Sequence, residues 1–162
     1  MIANGIILSK LIYLIPLWAG ADKYLLNSLQ LIQNKAARLV TKCGQETPIR
    51  MLLRQCGWLS VAQMGMYHSL VSTFKIKQSK CPLYLYSKLW DTEDVPYNVR
   101  SAAKHRIRLG RSSQAVTQLA RCSFKYRSAE DWNTLPVVIR QTEDLSSFKC
   151  MLRKWIFENI NI

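Results

Sequence analysis

The sequence predicts a small all-α protein, a helical bundle of about five to seven helices with an irregular basic arm. Several segments repeat apolar residues at three- and four-residue steps, and none alternates apolar and polar residues over the length of a strand. Residues typical of helix starts and helix ends stand at the borders of these segments. Of 162 residues, 49% are hydrophobic, which suffices for one core and excludes a disordered basic tail.

The clearest helix is predicted from Asp22 to Cys43. Asp22 is a favoured capping residue, and Gly44 can take the left-handed conformation that ends a helix. The spacing predicts one inward face, formed by Leu25, Leu29, Ile32, Ala36 and Leu39.

Two helices are predicted next, separated by Gly57. Thr47-Pro48 opens a short helix that runs to Cys56. Ser60-Val61-Ala62-Gln63 then has the spacing of a capping box, with Leu59 and Met64 placed as a hydrophobic staple. The apolar stripe of this longer helix consists of Val61, Met64, Tyr67, Leu70 or Val71, and Phe74. His68 lies beside the stripe, so we expect a structural role for it.

Three shorter helical stretches complete the bundle. Cys81-Pro82 begins Leu83 to Leu89, and Ser128 with Asp131 has capping-box spacing before a stop at Pro136. Ser146 or Ser147 opens the last helix, whose inward residues are Phe148, Leu152, Trp155 and Ile156. Trp18, Trp58 and Trp132 stand beside helix starts and stops, as core anchors do. The predicted divisions are a helical region at 1–90, an acidic loop and basic arm at 91–127, and C-terminal helices at 128–162 that pack on the same body.

The charge is strongly positive and unevenly distributed. There are 23 Lys and Arg residues against 10 Asp and Glu, a net charge of +13, and none of the acidic residues falls between Val95 and Ala129. Cationic side chains without interspersed acids favour phosphate binding over simple solvation, and Tyr97, Phe124 and Tyr126 could stack on bases. The residues predicted to bind a nucleic-acid backbone are Arg100, Lys104, Arg106, Arg108, Arg111, Arg121, Lys125 and Arg127 in the arm, and Lys35 and Arg38 in the Asp22 helix.

No pattern of an independent enzyme is present. The acidic residues form Glu-Asp pairs rather than an Asp-Asp doublet in an apolar strand, and no glycine-rich phosphate loop occurs. The five cysteines form no close pair, which argues against a zinc site and against a disulfide framework. We therefore expect no catalytic residues, no metal and no cofactor, and a reducing compartment, nuclear or cytoplasmic. Leu11 to Trp18 before Ala19-Gly20-Ala21 has some features of a signal peptide, but a buried N-terminal helix is the better interpretation, with no stable membrane insertion.

Several strings resemble a known family in both sequence and order. Leu29-Gln30-Leu31-Ile32-Gln33-Asn34-Lys35-Ala36-Ala37-Arg38 is similar to a helix of jockey-type non-LTR retrotransposon reverse transcriptases, in the region that follows the polymerase palm. The other matching strings are Ile7 to Tyr13 with Pro16-Leu17-Trp18, Gly57-Trp58-Leu59, Cys81 to Leu85, Trp132 to Pro136, and Ser147-Phe148-Lys149. Leu14, where the family commonly has glycine, and Glu130-Asp131 depart from its pattern.

The resemblance implies a helical thumb and C-terminal region that grips RNA, DNA or their hybrid behind the active site. The family's paired catalytic aspartates lie in the palm and are absent from this sequence, so the chain is expected to be a non-catalytic piece of an RNA-directed DNA polymerase whose further partner is that palm. Small-molecule substrates are not expected. Two alternatives stay open, namely a protein-interaction remnant without a nucleic-acid role, and a secreted or membrane-surface basic protein.

Overall fold

The protein is all-α, as the sequence predicts. The computed structural model describes residues 4–90, 107 and 117–159, and that part of the chain contains α-helices, one π-helical turn at Asn4–Leu8 and no β-strand. Six of the helices have eight or more residues. In chain order the helices are α1 (Ser9–Ile12), α2 (Ile15–Trp18), α3 (Lys23–Thr41), α4 (Ile49–Cys56), α5 (Val61–Ser79), α6 (Leu83–Trp90), α7 (Gln118–Arg121), α8 (Phe124–Thr134), α9 (Val137–Arg140) and α10 (Leu145–Asn159).

Helix α5 is the centre of the bundle. It packs against α1, α2, α3, α6, α8 and α10, and for this reason it is buried on several sides. Its start is the predicted capping box, because the Ser60 hydroxyl accepts from the Gln63 amide and the Gln63 side chain accepts from the Ser60 amide. The predicted stripe is buried at Val61, Met64, Leu70, Val71 and Phe74, while Tyr67 is half-buried.

The short helix α4 also ends as predicted. Gly57 has φ +67°, its N–H donates to the Arg54 carbonyl, and the Trp58 N–H donates to the Leu53 carbonyl at 2.8 Å. This left-handed residue closes the last helical turn, and glycine adopts it without steric cost. Trp58 then turns inward and joins a small cluster with Ala36, Ala37, Leu52 and Leu53.

The larger core lies among α5, α6, α8 and α10. Trp132 and Phe148 are fully buried; the Phe148 ring stacks on Phe74 with 4.3 Å between centroids, and Trp132 meets the edge of Trp90 at 5.4 Å. Of the three tryptophans predicted as core anchors, Trp58 and Trp132 are buried as expected, while Trp18 is half-buried against the main core. Because Phe74 and Trp90 come from α5 and α6, the C-terminal helices share one core with the N-terminal part.

Two predicted details of α8 and α3 are wrong. Helix α8 begins after Ser123 rather than at Ser128, whose hydroxyl donates to the Lys125 carbonyl inside the helix, so the helix crosses the predicted boundary between residues 127 and 128. Helix α3 ends at Thr41, and Lys42 after it takes the left-handed conformation expected of Gly44.

The inward face of α3 also differs from the prediction. The buried residues are Gln33, Ala36 and Ala37. Of the predicted face, Ala36 is buried and Leu29 is half-buried against the main core, whereas the other three residues, Leu25, Ile32 and Leu39, are exposed. Hydrogen bonds from two glutamines explain why α3 is turned about its axis relative to the predicted orientation. The Gln33 amide donates to the Leu59 carbonyl at 2.7 Å, and the Gln30 amide oxygen accepts from the Val61 N–H at 2.8 Å. These bonds satisfy backbone groups at the start of α5, which would otherwise be buried without partners.

The N-terminal segment is only partly buried. Leu11 and Ile15 lie in the main core, but Tyr13, Leu14 and Leu17 are exposed. Residue Leu14 has φ +50° and separates α1 from α2, so the expected single helix is broken. Within the part of the chain that the structure describes, no helix has the length and apolar character needed to cross a bilayer.

Candidate nucleic-acid interface

Half of the predicted phosphate-binding residues lie outside the described residues, namely Arg100, Lys104, Arg106, Arg108 and Arg111. The described residue within that stretch is Ile107, which is buried in the main core. Its N–H donates to the Asn133 side-chain oxygen at 3.1 Å, and its carbonyl accepts from the Asn133 amide nitrogen at 2.8 Å. The predicted arm is therefore tied to α8 at this residue.

Arg127 is half-buried rather than on an open surface. Its Nη2 donates to the Ser69 hydroxyl at 3.4 Å, and its buried Nη1 has no hydrogen-bond partner among the described residues. Burial lowers the pKa of the Arg127 guanidinium, which the nearby Asp131 carboxylate opposes. In this geometry Arg127 joins α8 to α5, and a phosphate could reach it only after the side chain moved.

Arg121 and Lys125 remain accessible. Arg121 is exposed at the end of α7, and Lys125 is half-buried in the first turn of α8. The Lys125 ammonium lies 5.8 Å from the centre of the Tyr126 ring, a cation–π distance. Phe124, considered above as a stacking residue, packs against the main core instead.

Lys35 and Arg38 lie on α3 in different settings. Lys35 is exposed. The Arg38 Nη1 donates to the carbonyls of Gly44, Gln45 and Thr47 at 2.8, 3.3 and 3.3 Å. Arg38 therefore orders the turn between α3 and α4.

A group of cations that the chain order did not suggest lies where α5 packs against α10. The Phe74–Phe148 stack fixes this crossing, and the residue after each phenylalanine is a lysine, Lys75 on α5 and Lys149 on α10. We call His68, Lys75, Lys149 and Arg153 the basic seam.

The charges that act on His68 are positive. Burial lowers the pKa of the His68 imidazole below its usual value, and the ammonium groups of Lys149 and Lys75 lower it further. The imidazole also lies edge-on to the Tyr67 ring at 5.2 Å. Burial raises the pKa of the Tyr67 phenol, and the Arg153 guanidinium opposes that rise. Cations from two helices therefore act on one pair of half-buried rings.

Acidic side chains are sparse on the two helices of the seam. Helix α5 contains none, and α10 contains Glu158 near its end. Just before α10, Asp144 accepts a hydrogen bond from the Ser147 N–H at 2.7 Å, and this bond lowers the pKa of its carboxyl. Asp144 therefore caps the start of α10. Within α5 and α10 the cations outnumber the acidic residues, as an anion-binding surface requires.

The described residues offer little for other chemistry. No group of three or more His, Cys, Asp or Glu that could hold a metal ion occurs among them. All five cysteines lie in the described part, and each is a free thiol; burial, with Cys43 nearby, raises the pKa of Cys56, which disfavours the reactive thiolate. Lys77 is held between the indoles of Trp90 and Trp132 at 5.7 and 5.4 Å and donates to the Arg140 carbonyl, so its place is in the core.

Comparison with known proteins identifies no relative of this chain, because no protein-family model, curated protein or solved structure matches it.

Proposed function

We propose that this chain binds the phosphate backbone of RNA, DNA or an RNA–DNA hybrid without reading the base sequence, and that it has no catalytic centre of its own. The observation that carries the proposal is the basic seam, where Lys75 and Lys149 follow the stacked Phe74 and Phe148 at the crossing of α5 and α10 and act electrostatically on a half-buried His68. Phosphate contacts of this kind position a nucleic acid and carry no sequence information.

The overall charge supports the same function. An excess of 13 positive charges creates a long-range attraction for polyanions and releases counterions when they bind. Arg121 and Lys125 add accessible cations at the α7–α8 junction. The resemblance to the region beyond the palm of jockey-type reverse transcriptases leads us to propose that the chain derives from such an enzyme and acts as its thumb-like grip. On that origin, the polymerase palm is its further partner.

The first experiment measures the salt dependence of binding to a labelled RNA–DNA hybrid, with duplex RNA and duplex DNA for comparison. If about six phosphates are neutralised, the logarithm of affinity falls against the logarithm of salt with a slope near −5. Affinity should change little between hybrids of different sequence. A slope shallower than about −2, or a strong sequence preference, would contradict backbone binding.

Matched variants then locate the contact. Replacing both Lys75 and Lys149 with glutamine should flatten the salt slope by about 2, since each removes one phosphate contact. The control replaces Lys10 and Lys88, exposed lysines of α1 and α6, and changes the net charge equally. If both double variants flatten the salt slope equally, binding depends only on the total charge and not on the basic seam. Arg106→Ala, Arg108→Ala and Arg111→Ala together test the predicted arm, with helicity expected to be unchanged.

The pH dependence supplies an independent signature of the seam. A phosphate placed beside His68 favours the imidazolium, so the complex binds more protons than the free protein and affinity rises as pH falls from neutral. The other charged or titratable groups here are Lys75 and Lys149, which act on His68, and Tyr67, the neighbouring ring on which Arg153 acts. His68→Gln should therefore remove most of the rise. Binding of anionic vesicles in place of nucleic acid would favour the membrane-surface alternative instead.

A further inference from the structure

Helix α3 exposes a wide apolar face beside its buried one. Its inner face is held against α4 and α5 by Gln33, Ala36 and Ala37. The outer face carries five large side chains, each more than half exposed: Tyr24 79%, Leu25 53%, Leu31 61%, Ile32 55% and Leu39 79%. Single exposed apolar residues are ordinary, but several on one helix face mark an interaction site.

These residues are arranged in two rows along the helix axis. Leu25, Ile32 and Leu39 follow each other at seven-residue steps, and Tyr24 and Leu31 form a second row beside them. Seven residues make nearly two turns, so such rows drift by only about 20° per step. From Leu25 to Leu39 the row is about 21 Å long. A second helix lying alongside α3 is the shape that covers both rows at once.

The charges on this face specify the chemistry of that helix. Helix α3 contains no acidic residue, and Lys35 and Lys42, both exposed, are spaced by seven residues like the apolar rows. Lys35 is four residues from both Leu31 and Leu39, so it lies on the same helix face as the exposed side chains. These lysines lie between the two rows, and their long side chains would reach acidic side chains at the edge of a partner's apolar stripe.

We propose that the outer face of α3 binds an amphipathic helix of a partner protein, with aliphatic residues toward the two rows and acidic residues toward Lys35 and Lys42. A second copy of this chain is a poorer occupant because it would place the same lysines against each other and bring together two chains of net charge +13. The interaction is separate from nucleic-acid binding at the basic seam, since it uses a different helix.

The probe is a synthetic helix of about four heptads with leucine and isoleucine at the seam and glutamate at the flanking positions. A second peptide with the same apolar residues and lysine in place of glutamate is its matched control. We expect the acidic peptide to bind the full chain at least about tenfold more tightly than the basic one. Lys35→Glu with Lys42→Glu should reverse that preference.

Two surface variants test the apolar rows. Ile32→Ser with Leu39→Ser should reduce binding of the acidic peptide about tenfold or more, while Leu83→Ser with Val138→Ser should leave it unchanged. Leu83 and Val138 are each 71% exposed on other helices, and circular dichroism confirms that all variants remain folded. Nucleic-acid affinity of the Ile32/Leu39 variant should stay at the level of the unmodified chain.

Four results would overturn the proposal. The first is that the acidic peptide does not bind at concentrations up to about 100 µM. The second is that the acidic and basic peptides bind equally well. The third is that the Leu83/Val138 control variant loses as much affinity for the acidic peptide as the Ile32/Leu39 variant. The fourth is occupation of the face by something else. Sedimentation would show this as a dimer abolished by Ile32→Ser with Leu39→Ser, and anionic vesicles would show it as binding that depends on the same two residues.

Discussion

The contact between α2 and α5 depends on a glycine, and its removal has a calculable effect. Gly65 lies in the first turns of α5, where a Cβ atom would be 2.6 Å from the Cβ of Ala19 at the end of α2. Two carbon atoms normally meet at about 3.5–4.0 Å, so Gly65→Ala forces the two helices apart. Overpacking of this size costs about 1–3 kcal/mol, against a gain of about 1 kcal/mol from alanine over glycine in a helix. We expect a net loss of up to about 2 kcal/mol.

The decisive measurement is a double-mutant cycle with Ala19→Gly. Ala19 has φ −65°, an ordinary helical value, so the glycine variant should lose only about 1 kcal/mol through backbone entropy. In the double variant the clash is gone, and Gly65→Ala becomes neutral or stabilising. The coupling energy is then about 1–3 kcal/mol, well above the deviation of about 0.5 kcal/mol seen for independent sites. Urea unfolding of the four proteins gives this number, and additive effects would refute the close approach of α2 and α5.

Two further predictions concern α8. Trp132→Ala should lower the unfolding free energy by about 3 kcal/mol or more, since the indole is fully buried and its loss leaves a cavity. Denaturant melts measure this, with Val138→Ala at an exposed position as the control, whose unfolding free energy should stay within about 0.5 kcal/mol of the unmodified protein. Burial raises the pKa of Asp131 from 3.8 to about 6, against the Arg127 guanidinium. The folded protein therefore holds this proton more tightly than the unfolded chain, and its stability falls as pH rises from about 4 to about 6, by at most about 3 kcal/mol. Asp131→Asn should remove this dependence of the unfolding free energy on pH. If the dependence between about pH 4 and pH 6 is the same in both proteins, the Asp131 carboxyl does not cause it.

The helix borders that depend on neighbouring residues were predictable from the sequence. The Ser60–Gln63 capping box and the Gly57 stop use side chains and dihedral angles within a few residues, and both are confirmed. The start of α8 could not be predicted in this way, because two serines are candidates for the capping position. Ser123 takes the extended conformation before the helix, and Ser128 has the better capping-box spacing but bonds back to a carbonyl within the helix.

The face of α3 could not be assigned from periodicity alone. The helix has apolar residues in two neighbouring sets, Leu25-Ile32-Leu39 and Leu26-Leu29 leading to Ala36, and either could face a core. Hydrogen bonds from Gln30 and Gln33 to residues far along the chain decide between them. Such tertiary bonds leave no pattern in the α3 sequence itself.

The basic seam could not be predicted from the sequence because its cations do not form a run along the chain. Lys75 and Lys149 are distant in sequence and meet through the packing of Phe74 on Phe148. One signal was present, since Phe-Lys occurs at 74–75, 124–125 and 148–149. Each pair places an aromatic ring at the core and a cation at its edge, but only the fold shows which cations come together.

Within the basic seam, the arginine makes a structural hydrogen bond that the two lysines do not make. The Arg153 Nη2 donates to the Gly57 carbonyl at 2.6 Å, and its guanidinium lies 5.9 Å from the Phe157 ring. It therefore holds α10 to the same loop, residues 57–61, that Gln33 and the capping box of α5 secure from the other side. Moving this guanidinium to a phosphate would leave the Gly57 carbonyl without that donor, a cost of about 1–3 kcal/mol if no water replaces it. Lys75 and Lys149 have no such bond among those described, and this is why the proposed phosphate contacts, and the variants that test them, are assigned to the lysines.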